Sequence, residues 1–239
     1  NMNYRNATTS ELYYRSVGTA DDGRGLMANF SNSYPGSLGR SVNTGMISSV
    51  ADREVPEAPG IDWSDLSFRF YWDGDLCSEV LDSPGANARE FKVEKPGTGR
   101  LTIGGANTAP GSATCNSSKN NPCATGDIFG DWREELVART SDNRNLRIYI
   151  SNYTSNYGIT TLWHDHQYRN AMVWQCMGYN QPPHQSYFLG EMEGLTVAPP
   201  PLTMTGRTEV PNGGTITGED KHFIVCETGN TTINIQDGA

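Results

Sequence analysis

Short apolar segments recur along the chain at intervals of roughly 8–12 residues, and glycine, asparagine and aspartate separate them. No sustained apolar stripe with the i, i+3, i+4 spacing of an amphipathic helix accompanies these segments. With 26 glycines and only 19% charged residues, the composition is that of an all-β chain rich in turns. The spacing predicts a sandwich, a barrel or a propeller. The predicted strands are residues 11–16, 66–72, 101–103, 135–139, 146–151, 160–164, 171–175 and 186–189.

A degenerate internal repeat favours the propeller among these architectures. Polar side chains recur in comparable register in segments that begin near Asn29, Asp73 and Asp127, at intervals of 42–44 and then 54–56 residues. Intervals of this size fit propeller blades with insertions of variable length. The last four predicted strands, in residues 146–189, are expected to form one meander of about blade length. We therefore predict propeller blades for residues 1–197.

Residues 198–239 differ in character from the rest of the chain. They begin with Ala198 and three prolines, a stiff segment that cannot donate backbone hydrogen bonds. We expect a linker here and then a short β-rich tail, with strands near residues 215–217, 222–226 and 231–235. Because nothing at the end completes a sheet, we expect both ends to be cut from a longer chain.

The net charge of −9 and an isoelectric point near 4.9 limit the possible partners. No basic stripe is present, so we expect neither nucleic acid nor an anionic membrane surface as a partner. No apolar run approaches the length of a membrane span. Residues 1–5 lack the basic and apolar regions of a signal peptide.

Two acidic segments carry the oxygen ligands that a hard cation such as Ca²⁺ prefers. The carboxylates are Asp73, Asp75 and Glu79 in one segment, and Asp127, Asp131 and Glu135 in the other. Neither segment is a full EF-hand loop: the second has Phe129 where such a loop has Asp or Asn, and neither ends in the EF-hand pattern. The alternative is that these carboxylates cap turns and pair with arginines. Those arginines are Arg133, Arg139 and Arg147.

Two further segments are candidates for a surface site. Residues 115–123 are polar and precede a predicted core strand, so they should form a surface loop, in which Lys119 is either functional or an ordinary solvated charge. Cys115 and Cys123 are close enough in sequence to close this loop by a disulfide, and two free thiols fit equally well. Residues 174–184 combine aromatic and amide side chains with two prolines, which suits stacking on sugar rings or an ordinary packed turn.

Motifs of other enzyme classes are absent from the sequence. It contains no Gly-x-Ser-x-Gly elbow, P-loop, dinucleotide fingerprint or Cys-x-x-Cys pair. Hydrolysis by a nucleophilic serine, phosphoryl transfer and redox chemistry therefore lose support.

Several motifs together resemble the rhamnogalacturonan lyases of polysaccharide lyase family 11. The most distinctive are Gly-Asp-Ile-Phe-Gly-Asp-Trp-Arg-Glu-Glu at residues 126–135 and Tyr-Asn-Gln-Pro-Pro-His at residues 179–184. Others are Gly-Arg-Gly at 23–25, Trp-Asp-Gly-Asp at 72–75, Leu-Arg-Ile-Tyr at 146–149, Leu-Trp-His-Asp at 162–165 and Tyr-Phe-Leu-Gly at 187–190. They run in order over residues 22–190, roughly seventy per cent of the chain.

The resemblance implies a partial β-propeller: the C-terminal blades of an eight-bladed ring that binds several calcium ions, without closure of the ring. It implies a monomeric, extracellular or periplasmic enzyme that acts on rhamnogalacturonan I. The family's substrate-binding run corresponds to Asn116, Ser117, Ser118 and Lys119, although Ser replaces the family's Gly and Thr. The resemblance also places Arg24 at the cleft and Tyr179 against a rhamnose ring.

The implied reaction is a β-elimination, in which a base removes the C5 proton of galacturonate. Calcium would reverse the negative local charge and stabilise the developing enolate. Lys119 is predicted to be the base, and Arg24 is predicted to clamp a carboxylate. Three alternatives remain: a carbohydrate-binding fragment without catalysis, a glycoside hydrolase that uses two carboxylates, and a calcium-stabilised adhesion propeller.

Overall fold

Three antiparallel sheets follow an N-terminal hairpin in the computed structural model. The hairpin consists of β1 (Met2–Arg5) and β2 (Leu12–Ser16). The first sheet contains β3 (Gly25–Ala28), β4 (Leu38–Ser41), β5 (Met46–Ser48) and β6 (Arg53–Val55). The structure describes residues 2–17, 24–34, 36–49, 53–56, 63, 66–84, 90–116, 119–175, 177, 180–192, 195–196, 215–216 and 234–235.

The second sheet repeats the design of the first. It contains β7 (Phe68–Phe70), β8 (Glu79–Asp82), β9 (Lys92–Lys95) and β10 (Gly99–Leu101). In both sheets each strand pairs antiparallel with the next strand in sequence, so each sheet is a four-stranded meander.

The third sheet is built around one long central strand. It contains β11 (Ser112–Ala113), β12 (Ala124–Gly126), β13 (Glu135–Thr140) and β14 (Leu146–Tyr149). Strands β12 and β11 share one edge of β13, and β14 covers its other edge. Strand β13 therefore begins at Glu135, the last residue of the second acidic segment, and continues that segment into the sheet.

The meander predicted for residues 146–189 is wrong. After β14, Leu162–His164 form a 3₁₀ turn and His166–Trp174 form the helix α1, where two strands were predicted. Asp165 caps α1, because its side chain accepts a hydrogen bond from the backbone N–H of Tyr168 at 3.3 Å. Residues 186–189 are irregular and not a strand. The cap was the sequence signal that the strand prediction overlooked.

Five of the predicted strands are confirmed, and each observed end lies within two residues of the predicted one. They correspond to β2, β7, β10, β13 and β14. Beyond these, β15 (Glu191–Met192) pairs with β16 (Leu195–Thr196). In the tail, β17 (Thr215–Ile216) and β18 (Asn234–Ile235) pair in parallel and lie inside the strands predicted at residues 215–217 and 231–235. The strand predicted at residues 222–226 lies outside the described residues. The all-β class is confirmed, with little helix. No helix among the described residues has the length and apolar character that a membrane crossing requires.

Apolar side chains between successive sheets form the core. One cluster joins the second and third sheets, and its members are Phe68, Phe70, Trp72, Leu81, Phe91, Val93, Leu101, Ile103, Ala109, Leu136, Ala138 and Tyr149. A second cluster covers the first sheet and includes Val80 of β8. A third holds α1 through Tyr168 against Tyr71 and Trp132. Because β7 is buried on both of its faces, the segments that leave its two ends are held in fixed positions.

Candidate functional site

The side chain of Arg24 connects three segments that are distant in sequence. It lies directly before β3 and is only 8% exposed. Its Nη1 donates to the backbone carbonyl of Asn180 at 2.8 Å, and its Nη2 donates to the Asn121 side-chain oxygen at 2.5 Å. The guanidinium also lies over the ring of Phe68, at 5.5 Å from the ring centroid. Arg24 thus joins the start of the first sheet, the 115–123 segment and the segment around residue 180.

Residues 115–123, which we call the Lys119 loop, form a closed turn. Cys115 and Asn121 exchange two backbone hydrogen bonds, of 2.7 and 2.9 Å. Inside the turn, the N–H of Lys119 donates to the carbonyl of Asn116 at 2.8 Å. Asn116 and Asn120 both have left-handed backbone angles, with φ of 53° and 49°, a conformation that asparagine tolerates better than most residues. The prediction of a surface loop is confirmed only in part, because Asn116 is exposed whereas Asn120 and Asn121 are buried.

Side chains from neighbouring segments fix the Lys119 loop in place. The Ser67 hydroxyl donates to the carbonyl of Lys119, and Asn120 donates to Asp82 at 2.9 Å. The Asn180 side chain donates to the carbonyl of Pro122 at 2.8 Å. The carbonyl of Lys119 and the side chain of Asn120 are thus bonded to residues in or beside the second sheet, while Lys119 itself is partly exposed.

The structure brings some of the predicted site residues together. Arg24 and the Lys119 loop meet through Asn121, and Arg24 also reaches the carbonyl of Ser67 at 3.5 Å. Asn116 lies exposed on the same loop. The predicted substrate-binding residues Ser117, Ser118 and Tyr179 lie outside the described residues.

Sequence reasoning missed three residues that hold this arrangement. Asn121 and Asn180 lie inside segments that were singled out, and their amide side chains were the available signal. Ser67 adjoins β7 and had no distinguishing pattern.

The first acidic loop, residues 71–79, brings its three carboxylates close together. Oxygen atoms of Asp73, Asp75 and Glu79 all lie within 4.8 Å of one another. The ammonium of Lys95 contacts this group, at 2.5 Å from Asp75 and 3.7 Å from Glu79, with a further contact to Asp73. A lysine at the end of β9 therefore supplies the positive charge that three converging carboxylates require.

Burial and charge perturb the ionisation of the first acidic loop. Burial, together with the neighbouring Asp73, raises the pKa of Glu79 well above its usual range. Burial acts to lower the pKa of Lys95, but its hydrogen bonds to Asp73 and Asp75 outweigh that effect and raise it. Lys95 thus stays charged against the group of carboxylates.

The second acidic loop, residues 127–135, distributes its carboxylates differently. Asp127 accepts from the Thr161 hydroxyl and from the Leu162 N–H, both at 2.7 Å. Asp131 pairs with Arg133, as the alternative based on arginine pairing predicted. Over the part of the chain that the structure describes, these carboxylates do not converge into a three-residue group.

The two acidic loops nevertheless share one backbone frame. Glu79 accepts from the N–H of Trp72 at 2.7 Å, and Glu135 accepts from the N–H of Ile128 at 2.7 Å. Both members of the second pair lie 56 residues after their counterparts in the first (135 − 79 and 128 − 72). In each loop a buried glutamate at the start of a strand therefore ties down the loop that precedes it.

A second hydrogen bond repeats at the same interval. Asp75 accepts from the N–H of Cys77 at 2.8 Å, and Asp131 accepts from the N–H of Arg133 at 3.1 Å. The sequence showed this internal repeat only as recurring polar residues. In the structure it is also a repeated set of hydrogen bonds, one set in the second sheet and an equivalent set in the third.

Each acidic loop contains a carboxylate oxygen suited to a cation. Oε1 of Glu79 and Oδ1 of Asp127 are buried and accept no hydrogen bond from any described residue. Burial raises the pKa of Asp127 to about 7 and, with the charge of Asp131, that of Glu135 to about 9. Oxygen-only ligands, uncompensated in part, are the donor set that Ca²⁺ takes. The three converging carboxylates of the first loop therefore fit a bound cation such as calcium, whereas the second loop offers one such buried oxygen without convergence of its carboxylates.

A buried ion pair lies between the acidic loops and was not foreseen. Arg69, in the centre of β7, donates to Glu134 at 2.9 Å, and the two side chains are 1% and 0% exposed. Glu134 also accepts from the Tyr71 N–H at 3.0 Å and from the Tyr168 hydroxyl at 2.7 Å. Burial raises the pKa of Glu134, and Arg69 opposes that shift. This network joins the second sheet, the second acidic loop and α1.

Comparisons with known proteins agree with the resemblance found in the sequence. Residues 1–201 match the family description "Rhamnogalacturonan lyase family 11, C-terminal domain". The chain is 34% identical over 210 residues to the rhamnogalacturonan exolyase YesX of Bacillus subtilis (strain 168), over 84% of this chain and 33% of YesX. It is 35% identical over 204 residues to the rhamnogalacturonan endolyase YesW of the same organism, over 85% of this chain and 31% of YesW.

The fold agrees with the same relationship. The crystal structure of the exotype rhamnogalacturonan lyase YesX superposes with a TM-score of 0.70 at 34% identity, over 82% of this chain and 33% of that chain. The chain spans about a third of the length of the curated relatives that it matches. By sequence and by fold, the chain belongs to rhamnogalacturonan lyase family 11.

Proposed function

We propose that the chain contributes to a lyase that cleaves the rhamnose–galacturonate bond of rhamnogalacturonan I by calcium-assisted β-elimination. The observation that carries the proposal is the set of contacts made by Arg24. This side chain holds the Lys119 loop and the backbone of Asn180, which adjoins Tyr179, against the edge of the first sheet. Two segments that family motifs named independently thus meet around one buried cation.

The three sheets are proposed to be successive propeller blades. Two are four-stranded meanders, and the hydrogen bonds of the acidic loops repeat between the second and third sheets. Repetition of one supersecondary unit at a fixed interval supports this architecture. The Lys119 loop and the acidic loops then connect strands within a blade, and such loops have room for binding residues.

The chemistry requires a base and a positive environment. The C5 proton of galacturonate is weakly acidic, because its removal places negative charge next to a carboxylate. When bound, calcium supplies positive charge that can offset the charge of the substrate; Asp73, Asp75 and Glu79 are the proposed ligands in the first acidic loop, and Asp127, Asp131 and Glu135 in the second.

Lys119 is the proposed base. Its neutral amine takes the C5 proton, the electron pair left behind forms the C4–C5 double bond, and the glycosidic oxygen at C4 leaves. The hydrogen bonds at the Lys119 backbone fix the origin of the side chain, and its partial exposure leaves the amine accessible to a polymer. Asn116 and the neighbouring Ser117 and Ser118 are proposed to contact substrate on the same loop.

Arg24 is proposed to act mainly as a positioning residue. At 8% exposure, its guanidinium makes its hydrogen bonds to Asn121, Asn180 and Ser67. A carboxylate clamp would need part of this guanidinium to face the cleft. Tyr179 is proposed to stack on a rhamnose ring, held by its neighbour Asn180.

The test is release of unsaturated uronate from rhamnogalacturonan, followed by ultraviolet absorbance with the intact protein, in calcium and in chelator. We expect a calcium-dependent rise, and we expect Lys119→Ala to lower kcat by about a hundredfold or more. Lys119→Arg is the matched control, because it keeps the charge but cannot give up a proton at working pH.

Three outcomes separate the candidates. Loss of turnover in both variants supports Lys119 as the base. Full activity of Lys119→Arg would mean that Lys119 contributes only its positive charge. Binding of the polymer without any unsaturated product would make the chain a carbohydrate-binding unit and would refute the proposed reaction.

A further inference from the structure

Two thiols face each other at the ends of the Lys119 loop. The Sγ atoms of Cys115 and Cys123 lie 3.8 Å apart, and both side chains are partly buried. A disulfide bond is about 2.0 Å long, so closure needs only a small movement of the two sulfur atoms. The two cysteines enclose the residues that carry Asn116 and Lys119.

The backbone around both cysteines is fixed. Cys115 is tied to Asn121 by two backbone hydrogen bonds, and the N–H of Cys123 donates to the carbonyl of Val137 in β13 at 3.0 Å. Arg139, on the same strand, donates twice to the carbonyl of Thr114, at 2.6 and 3.1 Å. The thiols therefore meet because the sheet holds them, and a bond between them would not require the loop to refold.

We propose that Cys115 and Cys123 form a disulfide that closes the Lys119 loop. A small-molecule disulfide such as oxidised glutathione is the oxidant. One thiolate attacks it and releases one reduced glutathione, and the second cysteine then displaces the other. Two protein thiols and one oxidised glutathione thus give the protein disulfide and two reduced glutathiones, with two electrons and two protons passing to the oxidant.

The local charges favour Cys115 as the attacking sulfur. A hydrogen bond from Cys123, together with the nearby Arg139, lowers the pKa of the Cys115 thiol to about 6. Cys77 provides the contrast, because burial raises its pKa to about 12. At neutral pH, Cys115 is thus the reactive thiol and Cys77 the inert one. The compartment predicted from the family resemblance, extracellular or periplasmic, is one in which disulfides persist.

The disulfide acts on the loop through its ends. It fixes the distance between residues 115 and 123. The Lys119 loop can then no longer open at its ends, as it could with two separate thiols. One consequence rests on the proposed function: if Lys119 is the base, oxidation holds its backbone at the cleft, so reduction should lower kcat more than it changes KM.

Tryptic mapping tests the bond directly, because trypsin cleaves inside the loop after Lys119. The intact protein is equilibrated with oxidised or reduced glutathione, alkylated with N-ethylmaleimide, denatured and digested. Peptides 101–119 and 120–133 each contain one of the two cysteines and no other. We expect them to be linked in the oxidised sample and separate and alkylated in the reduced one. Two alkylated peptides in the oxidised sample, or a link from either peptide to Cys176 or Cys226, would overturn the proposal.

Variants extend the test to the folded protein. Oxidation should raise the thermal midpoint of the natural protein by about 5 °C. Cys77→Ser should keep this response, and the double variant C115S/C123S should lose it. An equal redox response in the double variant would show that another pair of cysteines is responsible.

Activity separates the two proposals. If the bond forms and neither redox form releases unsaturated uronate, the proposed function fails and the disulfide stands. If the protein is an active lyase but peptides 101–119 and 120–133 are never linked, the disulfide fails and the function stands. If both hold, reduction should lower kcat about threefold or more, and reoxidation should restore it. Equal kcat in the two redox forms would refute the positioning role.

Discussion

The first and second acidic loops have the same backbone frame but employ their carboxylates differently. In both, a glycine with positive φ precedes the central aspartate: Gly74 at 87° and Gly130 at 80°. In both, a buried glutamate opens the next strand and accepts a backbone N–H. In the first loop three carboxylates converge on the ammonium of Lys95. In the second they are divided among separate partners.

One substitution accounts for much of this difference. Phe129 occupies the position equivalent to Asp73, 56 residues later, so the second loop lacks a carboxylate where the first has one. Asp127 lies two residues earlier and is instead bonded to Thr161 and Leu162. A shared frame therefore fixes where a loop can place ligands, and the individual side chains decide whether those ligands converge.

The position before the strand glutamate separates the two loops further. Glu134 follows Ser78 by 56 residues and replaces a small neutral side chain with one that pairs with the buried Arg69. The second loop is thus bound to the core by an ion pair. Ser78 cannot form an equivalent ion pair in the first loop, so we expect the second loop to contribute more to the stability of the fold.

Removal of Glu134 should have the largest effect on stability. Glu134→Ala leaves the guanidinium of Arg69 buried without its charged partner, and it also removes acceptors from Tyr71 and Tyr168. We expect a loss of about 3–5 kcal/mol in the free energy of unfolding, measured by urea denaturation. Ser78→Ala, at the equivalent position of the first loop, is the matched control and should cost about 1 kcal/mol or less. Similar losses of stability in the two variants would contradict the larger structural role that we expect for the second loop.

Lys95 should control calcium affinity in the first loop. Lys95→Met leaves three carboxylates facing one another, so in chelator we expect a loss of about 1–3 kcal/mol in the free energy of unfolding. Added calcium should restore that stability. Because the ammonium no longer competes for the same oxygens, calcium affinity from isothermal titration should rise about tenfold, or ~1.4 kcal/mol.

Arg133→Met is the control in the second loop. Arg133 pairs with Asp131, and this contact involves one carboxylate instead of three. Its effect on calcium affinity should therefore be smaller than that of Lys95→Met. A lower calcium affinity in Lys95→Met would contradict the idea that lysine and calcium compete for one site.

Local sequence predicted those features that depend on local pattern. The alternation of short apolar segments and turn residues gave five strands at or near their observed bounds, and the polar composition of residues 115–123 gave a loop, part of which is buried. The helix α1 was not predicted, because its start depends on the single cap at Asp165 and the apolar residues of this segment also fit a strand. Aromatic and β-branched residues are compatible with both structures when they are few.

Partners that are distant in sequence could not be predicted in this way. Lys95 lies at the end of β9, between 16 (95 − 79) and 22 (95 − 73) residues from the carboxylates that it contacts. Arg69 stands between two phenylalanines in a strand that reads as apolar. The sequence near Lys95 and near Arg69 does not indicate their ion-pair partners, because these pairs depend on how the strands pack in three dimensions. The acidic residues were predicted because their spacing is local, whereas the lysine and the arginine that contact them were not predicted.

Restoring the missing carboxylate is the most direct test of the comparison between the two loops. Phe129 is 40% exposed, so Phe129→Asp should cost little stability, about 0.5 kcal/mol. It places a carboxylate at the position of Asp73, and we expect calcium affinity of the second loop to rise about threefold to tenfold, or ~1 kcal/mol, by isothermal titration. Ile128→Asp, at 39% exposure, is the matched control. It adds the same charge one residue away, at the position of Trp72, where the first loop has no ligand. An equal gain in both variants would mean that net charge alone attracts the cation, and the shared frame would then have no part in placing ligands.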